Sequence, residues 1–310
     1  MSTGSAACPN AQTAPTPLPD GDIEIGKGAL VASFRPSAGG RMSRLRHRDF
    51  GNILVPMTTD VFDPLYWPKA GAYPLFPFHN RVVGGLLHHI GKTYRLAPHP
   101  AVVPDALHGP ANRRVWQVTE HRSDRIGMVL EYLPDADWPF AFRAEQHIMI
   151  GENCLTINLQ LQNTGASVMP GGMGWHPFLD VAMDAPASSD AAFDWPVDET
   201  GVPSDLCVER TQSLLPAEPL TLHLQDWTFA EAQTRGGARV AITATPGLSH
   251  LVCHRMPGYL CLEPASHRAG IFRISERGLT AQDISLIEPG AQLEETLAVH
   301  LLPADEAKRG

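Results

Sequence analysis

The sequence predicts an all-β protein, either a sandwich or a barrel, and three observations support this fold class. Apolar and polar residues alternate in many short segments, and turn signals recur at intervals of about ten residues. Glycine and proline are frequent, with 27 and 28 residues. No segment carries an apolar stripe with helical spacing over three turns. Short strands joined by frequent turns are typical of sandwiches and barrels.

The clearest predicted strand lies in the middle of the chain. Leu155, Ile157, Leu159 and Leu161 alternate with polar residues, which is the period of a half-buried antiparallel strand. A run of the same period begins at Phe140 and ends at position 150, and the Gly-Glu-Asn sequence at 151–153 is expected to join the two runs as a hairpin. The same alternation predicts further strands in four other segments: 128–132, 220–225, 240–244 and 297–301.

The 310 residues are expected to form one domain behind a short tail. Residues 1–20 contain no Lys or Arg and no apolar run, and they are rich in Ala, Thr, Pro and Ser. We therefore expect a disordered N-terminal tail over 1–20 rather than a signal peptide. Residues 24–303 show no break in composition and no internal repeat, which predicts a single domain over 21–310.

Composition excludes several classes of partner. Acidic residues outnumber basic ones by 33 to 24, giving a formal charge of -9, whereas nucleic-acid binding needs a basic surface. No stretch approaches the about 18 apolar residues of a membrane span. The five cysteines are an odd number without a CxxC pair, which favours a reducing compartment. We expect a cytoplasmic protein, monomeric or homodimeric, that binds neither nucleic acid nor membrane.

Motifs for cofactors and metals are missing. The sequence has no phosphate-binding loop, no dinucleotide-binding GxGxxG, no GxSxG and no HExxH. His250 and His254 stand four positions apart, but their surroundings predict a strand, in which that spacing is about 13 Å and too long for one ion. We therefore predict no metal site and no cofactor, and we interpret these histidines as surface or groove residues.

Two loop segments carry candidate binding residues. Asn80 and Arg81 follow a proline-rich apolar stretch, and together they offer an amide beside a fork of guanidinium donors, which suits a hydroxyl-rich ligand. The alternative is a capped loop with a surface arginine. His108 lies on a sharply turned loop before a strand, and its alternative role is that of a structural turn histidine.

Two further segments carry candidate acid and base groups. His176 follows three glycines and is flanked by Trp175 and Phe178, so its environment is expected to be apolar; it could also be a hydrogen-bonded core histidine. Alternation places Cys261 and Glu263 on one face of a strand, together with Tyr259. A carboxylate on an apolar strand has a raised pKa through desolvation, as a general base requires, although an edge glutamate reaching solvent is the alternative.

In this order the segments resemble the aldose 1-epimerase (galactose mutarotase) family, in its divergent bacterial branch. The resemblance extends from about position 24 to position 303. It is carried by five motifs: Asn80-Arg81, Leu107-His108-Gly109, Gly174-Trp175-His176-Pro177-Phe178, Leu262-Glu263-Pro264 and Glu288-Pro289-Gly290.

The resemblance implies a large twisted antiparallel β-sandwich, the galactose mutarotase-like supersandwich, that binds a sugar in an open groove on one sheet. It also implies that the protein interconverts the α and β anomers of this sugar without a cofactor. By this likeness Glu263 would be the general base and His176 the general acid, facing each other across a gap the size of a pyranose ring. His108 would support the acid or hold the region of the ring oxygen, and Asn80 and Arg81 would bind sugar hydroxyls. Asp226 would lie where such families keep a sugar-binding aspartate.

Two departures from the family pattern leave the substrate open. Familiar galactose mutarotases carry Asn-His-x-Tyr around the acid histidine, where this chain has Trp-His-Pro-Phe at 175–178, and they tend to have His-Gly-Gly where it has His-Gly-Pro at 108–110. The alternatives are a hexose-6-phosphate 1-epimerase on the same scaffold, with Arg41, Arg44 and Lys69 as possible phosphate ligands, and a non-catalytic carbohydrate-binding protein. A β-sandwich interaction module would explain the composition but not the order of the motifs.

Overall fold

The computed structural model describes residues 22–273 and 278–302, together with the backbone of Thr16–Pro17. The tail predicted over 1–20 therefore lies outside the described residues, apart from these two, which pair with a short strand at Val61–Phe62.

The described chain is almost entirely β. In chain order the first strands are β1 Thr16–Pro17, β2 Ile23–Lys27, β3 Leu30–Arg35, β4 Arg41–His47, β5 Gly51–Asn52, β6 Val61–Phe62, β7 Ala72–Leu75, β8 Arg81–Val82, β9 Leu86–His89, β10 Lys92–Arg95, β11 Ala106–Leu107, β12 Gln117–His121, β13 Arg125–Tyr132 and β14 Phe142–Ile150. The later strands are β15 Cys154–Asn163, β16 Met169–Gly171, β17 Gly174–Pro177, β18 Ala187–Ser189, β19 Phe193–Asp194, β20 Val208–Glu209, β21 Leu220–Gln225, β22 Phe229–Gln233, β23 Arg239–Ala244, β24 His250–Met256, β25 Tyr259–Ala265, β26 Ser285–Ile287 and β27 Gln292–Leu302.

In the part of the chain that the structure describes, helical structure consists of short 3-10 turns at Pro36–Ala38, Val83–Gly85, Pro100–Val102 and Ala111–Arg113, and at residues 271–273. Among the described residues, no helix has the length and apolar character that crossing a bilayer would require.

Two large antiparallel sheets form the sandwich, which confirms the predicted fold class. One sheet has eight strands in the order β12-β13-β14-β15-β27-β23-β22-β18. The other has eleven strands, ten of them in the order β2-β3-β4-β7-β17-β25-β24-β21-β19-β20, with β5 added beside β4. The remaining strands form two-stranded ribbons.

The alternation seen in the sequence explains how the sheets pack. In β15 the residues at 155, 157, 159 and 161 are fully buried, while the polar residues between them are partly exposed. Their counterparts in the eleven-stranded sheet include Trp175, Leu260 and Leu262, which belong to the same core. One face of each central strand therefore packs in the core between the sheets. The opposite face of β17 and β25 does not contribute to this core and is available to form a site.

The predicted strands are found, with one difference at a boundary. The run expected from Phe140 begins two residues later, at Phe142. Trp138 instead accepts a hydrogen bond from the backbone N–H of Asp135 in a turn (3.1 Å). The segment around His250 and His254 is a strand as expected, so it does not have the helical spacing that would bring these two side chains onto one ion.

Candidate active site

A cavity of about 440 Å³ opens on the outer face of the eleven-stranded sheet. Its floor is formed by β17, β25, β24 and β21, which are neighbours in that order. Five of the residues singled out from the sequence line it: Asn80, Arg81, His108, His176 and Glu263. The fold thus brings together side chains that are up to 183 positions apart in the chain.

Glu263 reaches the cavity because of the alternation along β25. Leu260 and Leu262 point into the core between the sheets, whereas Tyr259 and Glu263 line the cavity on the opposite face. β25 lies between β17 and β24, so it is an interior strand and its carboxylate has no route to a sheet edge. Glu263 is only 3% exposed, and the interpretation of an edge glutamate reaching solvent does not apply.

His176 stands next to this carboxylate on the adjacent strand. Its Nε2 atom lies 3.3 Å from Oε1 of Glu263. The imidazole is packed between aromatic rings, stacked on Phe178 at a centroid distance of 4.8 Å and close to Tyr73 at 4.7 Å. These rings fix its orientation and exclude water from one side of the pair.

The acid and base candidates are therefore closer than the pyranose-sized gap expected from the sequence. Strands in a sheet are about 4.8 Å apart, and residues that point the same way from neighbouring strands come into direct contact. The pairing of β17 with β25 at Gly174 and Ala265 produces this arrangement.

Burial shifts the pKa values of the pair in opposite directions. Desolvation raises the pKa of Glu263 to about 8, and the ammonium group of Lys69 opposes this rise. Desolvation also lowers the pKa of His176 well below 6.5, and the nearby ring of His108 contributes to the same shift. At neutral pH the two groups consequently hold one proton between them.

His108 is held by a strained loop beside this pair. Both His108 and Asn80 have left-handed backbone conformations, with φ of 59° and 58°, a geometry that costs free energy and is found at functional sites. The N–H of Asn80 donates to Nδ1 of His108 (3.2 Å), and the N–H of His108 donates to the Asn80 carbonyl (2.9 Å). Since Nδ1 accepts, Nε2 carries the proton of the neutral ring and can donate. The His108 ring lies 5.4 Å from that of His176.

Asn80 and Arg81 form the rim of the cavity. The backbone N–H of Arg81 donates to Oδ1 of Asn80 (2.9 Å), which orients the amide. The Arg81 guanidinium lies 3.6 Å from the carboxylate of Asp105 and donates to the carbonyl of Thr200 (3.4 Å). Arg81 is thus tied to the loop that covers one side of the cavity.

Asp226, expected from the resemblance to bind sugar, is not among the cavity-lining residues. Strand β21 ends at Gln225, and Asp226 follows it in a left-handed conformation with φ of 56° and an exposed side chain. The residues of β21 that do reach the cavity are Thr221 and His223, which alternate with core leucines.

Several lining residues were not identified as site residues from the sequence. Thr221, His223 and His254 have a detectable signal, because the alternation of β21 and the strand pattern of β24 place them on the face opposite the core. Lys69, considered from the sequence only as a possible phosphate ligand, has no such signal, since it comes from an irregular segment before β7. Its position near Glu263 follows only from the tertiary fold.

One set of side chains at the floor of the cavity could also hold a metal ion. The ligand atoms of His176, Cys261 and Glu263 all lie within 4.8 Å of one another, and all three residues are buried. The same carboxylate and imidazole are therefore placed both for proton transfer and for coordination.

Comparison with known proteins identifies the family. The chain is 27% identical to the uncharacterized protein YphB of Escherichia coli (strain K12) over 240 residues, covering 71% of this chain and 80% of YphB. Its fold is similar to that of a galactose mutarotase-like protein from Clostridium acetobutylicum, with a TM-score of 0.78 and 17% identity over 90% of this chain and 94% of the other. An aldose epimerase homologue from C. elegans gives a TM-score of 0.77 at 17% identity, covering 92% of this chain and 99% of the other.

The sequence pattern of the aldose 1-epimerase family matches residues 22–243. This span is well over half of the chain and includes five of the six predicted site residues, all except Glu263. The protein belongs to the aldose 1-epimerase family.

Proposed function

We propose that this protein is an aldose 1-epimerase, an isomerase that interconverts the α and β anomers of an unphosphorylated hexose. Glu263 acts as the general base and His176 as the general acid. The observation that carries this proposal is the 3.3 Å contact between Oε1 of Glu263 and Nε2 of His176 at the floor of an open cavity.

The short contact fits the chemistry of ring opening. The C1 hydroxyl must lose a proton while the ring oxygen gains one, and both oxygens are bonded to the same carbon. A base and an acid that serve two such oxygens must themselves stand close together. After rotation about the C1–C2 bond, ring closure returns both protons along the same routes, so the pair is regenerated.

The number of protons on the pair also fits. Near neutral pH the pair holds one proton, as the raised pKa of Glu263 and the lowered pKa of His176 require. The carboxylate–imidazolium form has the same total charge and differs only in the position of that proton. A sugar that brings its hydroxyl to the carboxylate and its ring oxygen to the imidazolium stabilises this second form. The reaction moves only protons, so it needs no redox group.

The remaining lining residues have positioning roles in this proposal. His108 supports His176 by donating from Nε2 into the cavity, and Asn80 and Arg81 bind sugar hydroxyls at the rim. Hydroxyl groups both donate and accept, so an amide, an imidazole and a guanidinium fork form a suitable set of partners.

The charge of the cavity favours a neutral sugar over a hexose 6-phosphate. Among the described residues, the lysines and arginines that line it are Lys69 and Arg81, and Arg81 already faces the carboxylate of Asp105. Arg41 is fully buried, with its guanidinium 4.4 Å from the centre of the Tyr73 ring, and Arg44 does not line the cavity. A phosphate group would meet one uncompensated cation, Lys69.

A reducing compartment, with the cytoplasm as the expected location, is part of the same proposal. In the part of the chain that the structure describes, Cys154, Cys207, Cys253 and Cys261 are all free thiols. Oxidation of the buried thiol beside Glu263 would add bulk to the floor of the cavity.

The test is saturation-transfer NMR of anomeric protons over a panel of aldoses and the matching hexose 6-phosphates. We expect exchange well above the uncatalysed rate for at least one neutral aldose and a lower rate for its 6-phosphate. Exchange at the uncatalysed rate for a sugar that binds would identify a carbohydrate-binding protein instead. A preference for the 6-phosphate would show that the substrate class proposed here is wrong.

A further inference from the structure

The thiol of Cys261 lies within 4.8 Å of the ligand atoms of His176 and Glu263, two residues that line the cavity. The proposed reaction gives this thiol no role. Cys261 is fully buried and precedes Glu263 by two positions on β25, so both side chains leave the strand on the same face. The neighbouring strand β17 contributes His176 to the same point. Three different donor atoms, a sulfur, a nitrogen and an oxygen, therefore converge there.

The spacing of these atoms is close to that of a tetrahedral metal site. Zinc binds His nitrogen and carboxylate oxygen at about 2.0–2.2 Å and Cys sulfur at about 2.3 Å, so two of its ligand atoms are about 3.3–3.8 Å apart. The 3.3 Å between Nε2 of His176 and Oε1 of Glu263 is already within this range. No two ligand atoms of the set are further apart than 4.8 Å, so a displacement of about 1 Å completes the site.

We propose that His176, Cys261 and Glu263 bind Zn²⁺ as an inhibitor, with the fourth coordination position open to the cavity. This inference rests on the proposed function, because the ion would occupy the lone pairs that the acid and the base use. Binding releases two protons, one from the thiol and one from the Glu263–His176 pair. The thiolate, the imidazole and the carboxylate become ligands, and no oxidation or reduction takes place.

The donor set determines which ions are expected to bind. Thiolate and imidazole favour zinc and other late transition metals, whereas Mg²⁺ and Ca²⁺ prefer sets made of oxygen alone. Lys69 acts against any cation, since its ammonium group is near both Cys261 and Glu263. The two anionic ligands outweigh this single positive charge, so a cation can bind. The sulfur and nitrogen donors then favour a soft metal ion over a hard one.

Co²⁺ replaces zinc as a spectroscopic probe in the test. A thiolate bound to Co²⁺ gives a sulfur-to-metal charge-transfer band in the near ultraviolet, and excess Zn²⁺ removes it. We expect this band in the wild-type protein and in Cys253→Ala, and its loss in Cys261→Ala. Cys253 is a matched control because it is also fully buried, on the adjacent strand β24, but belongs to the core on the other face of the sheet.

Inhibition is measured with the same proteins. We expect Zn²⁺ to inhibit anomer exchange by the wild type and by Cys253→Ala. We expect Cys261→Ala to need about 100-fold more Zn²⁺ for the same inhibition, since even a residue that only hydrogen-bonds to a metal ligand contributes about 10- to 100-fold to metal affinity. Each variant is compared with its own rate in the absence of metal. Equal inhibition of Cys261→Ala and wild type, or a charge-transfer band that survives in Cys261→Ala, would overturn the proposal.

A measurement on the unaltered protein covers the case in which a variant does not fold. Anomalous scattering from a zinc-soaked crystal should give a peak between the three side chains, and peaks only elsewhere would refute the site. The arms also separate this inference from the proposed function. A protein without epimerase activity that still shows the peak and the band would refute the function and leave the metal site standing.

Discussion

The raised pKa of Glu263 results from the position of its strand in the sheet. The residue is an ordinary glutamate in sequence, but it lies on an interior strand with only 3% of its surface exposed, so its charged form loses solvation. Its pKa rises to about 8 for this reason, while the same cause lowers the pKa of His176. Burial therefore shifts the pKa values of the two groups in opposite directions, and the pair holds one proton near neutral pH.

These shifts predict a bell-shaped pH dependence of kcat/KM. Activity needs one proton on the Glu263–His176 pair. It therefore falls at high pH, as Glu263 loses this proton around pH 8. It also falls at low pH, as the pair takes up a second proton on His176 well below pH 6.5. Each limb thus belongs to the group whose pKa the burial has moved there. Measurement of kcat/KM between pH 5 and pH 9 checks this, and a rate that is flat through pH 8 would contradict it.

At the scale of elements, the loop that carries His108 and Gly109 is as important as the strands. Gly109 has φ of 64°, and a Cβ atom there would overlap the carbonyl oxygen of Phe76. The glycine therefore permits the close approach that turns His108 into the cavity. Strands carry the proposed acid and base, while this loop carries the histidine proposed to support the acid.

Replacement of Gly109 by alanine should destabilise the protein and misplace His108. The left-handed backbone alone costs about 1 kcal/mol, and the overlap adds about 1–3 kcal/mol. Gly91→Ala is the control, because Gly91 has a similar φ of 68° but open space around it. Urea unfolding should show the larger loss for Gly109→Ala, with lower kcat/KM in that variant only. Equal losses in the two variants would show that the Phe76 contact is unimportant.

At the scale of the molecule, buried histidines link stability to pH. Burial lowers the pKa of His79 to about 4 and those of His223 and His250 to about 3, and the pKa values of His176 and His267 lie well below 6.5. Unfolding lets these rings take up protons at their ordinary pKa. Stability is therefore present above pH 6.5 and is lost as the pH falls towards the folded-state values.

The expected result is a lower free energy of unfolding at pH 5.5 than at pH 7.5. Each of the five histidines contributes a loss of about 1 kcal/mol over this interval. Glu263 acts in the opposite direction, because its raised pKa favours the folded state as the pH falls, but it is one group against five. Urea unfolding at the two pH values measures the difference, and equal or greater stability at pH 5.5 would contradict this account.

The alternation of apolar and polar residues in the sequence predicts most of the strands, whereas the sequence predicts little about the loops. The period of two in β15, β21 and β25 was sufficient to predict a sandwich or a barrel and to place Cys261 and Glu263 on one face. It could not predict that β17 lies beside β25, because strand order depends on contacts between distant segments. The position of Lys69 in the cavity and the exclusion of Asp226 from it both depend on irregular backbone. Such backbone has no periodic residue pattern from which its course could be predicted. The disordered tail over 1–20, the single domain over 21–310 and the oligomeric state stay predictions.

The most direct test of the account is the rate at which Glu263→Gln equilibrates a pure α-aldose in a polarimeter. The amide keeps the size of the side chain but cannot accept the C1 proton, so we expect sugar binding to persist while catalysis falls by about 10²–10⁴-fold. Glu209→Gln, on an exposed strand outside the cavity, serves as the control. Equilibration by Glu263→Gln at the wild-type rate would contradict the central claim that Glu263 is the base.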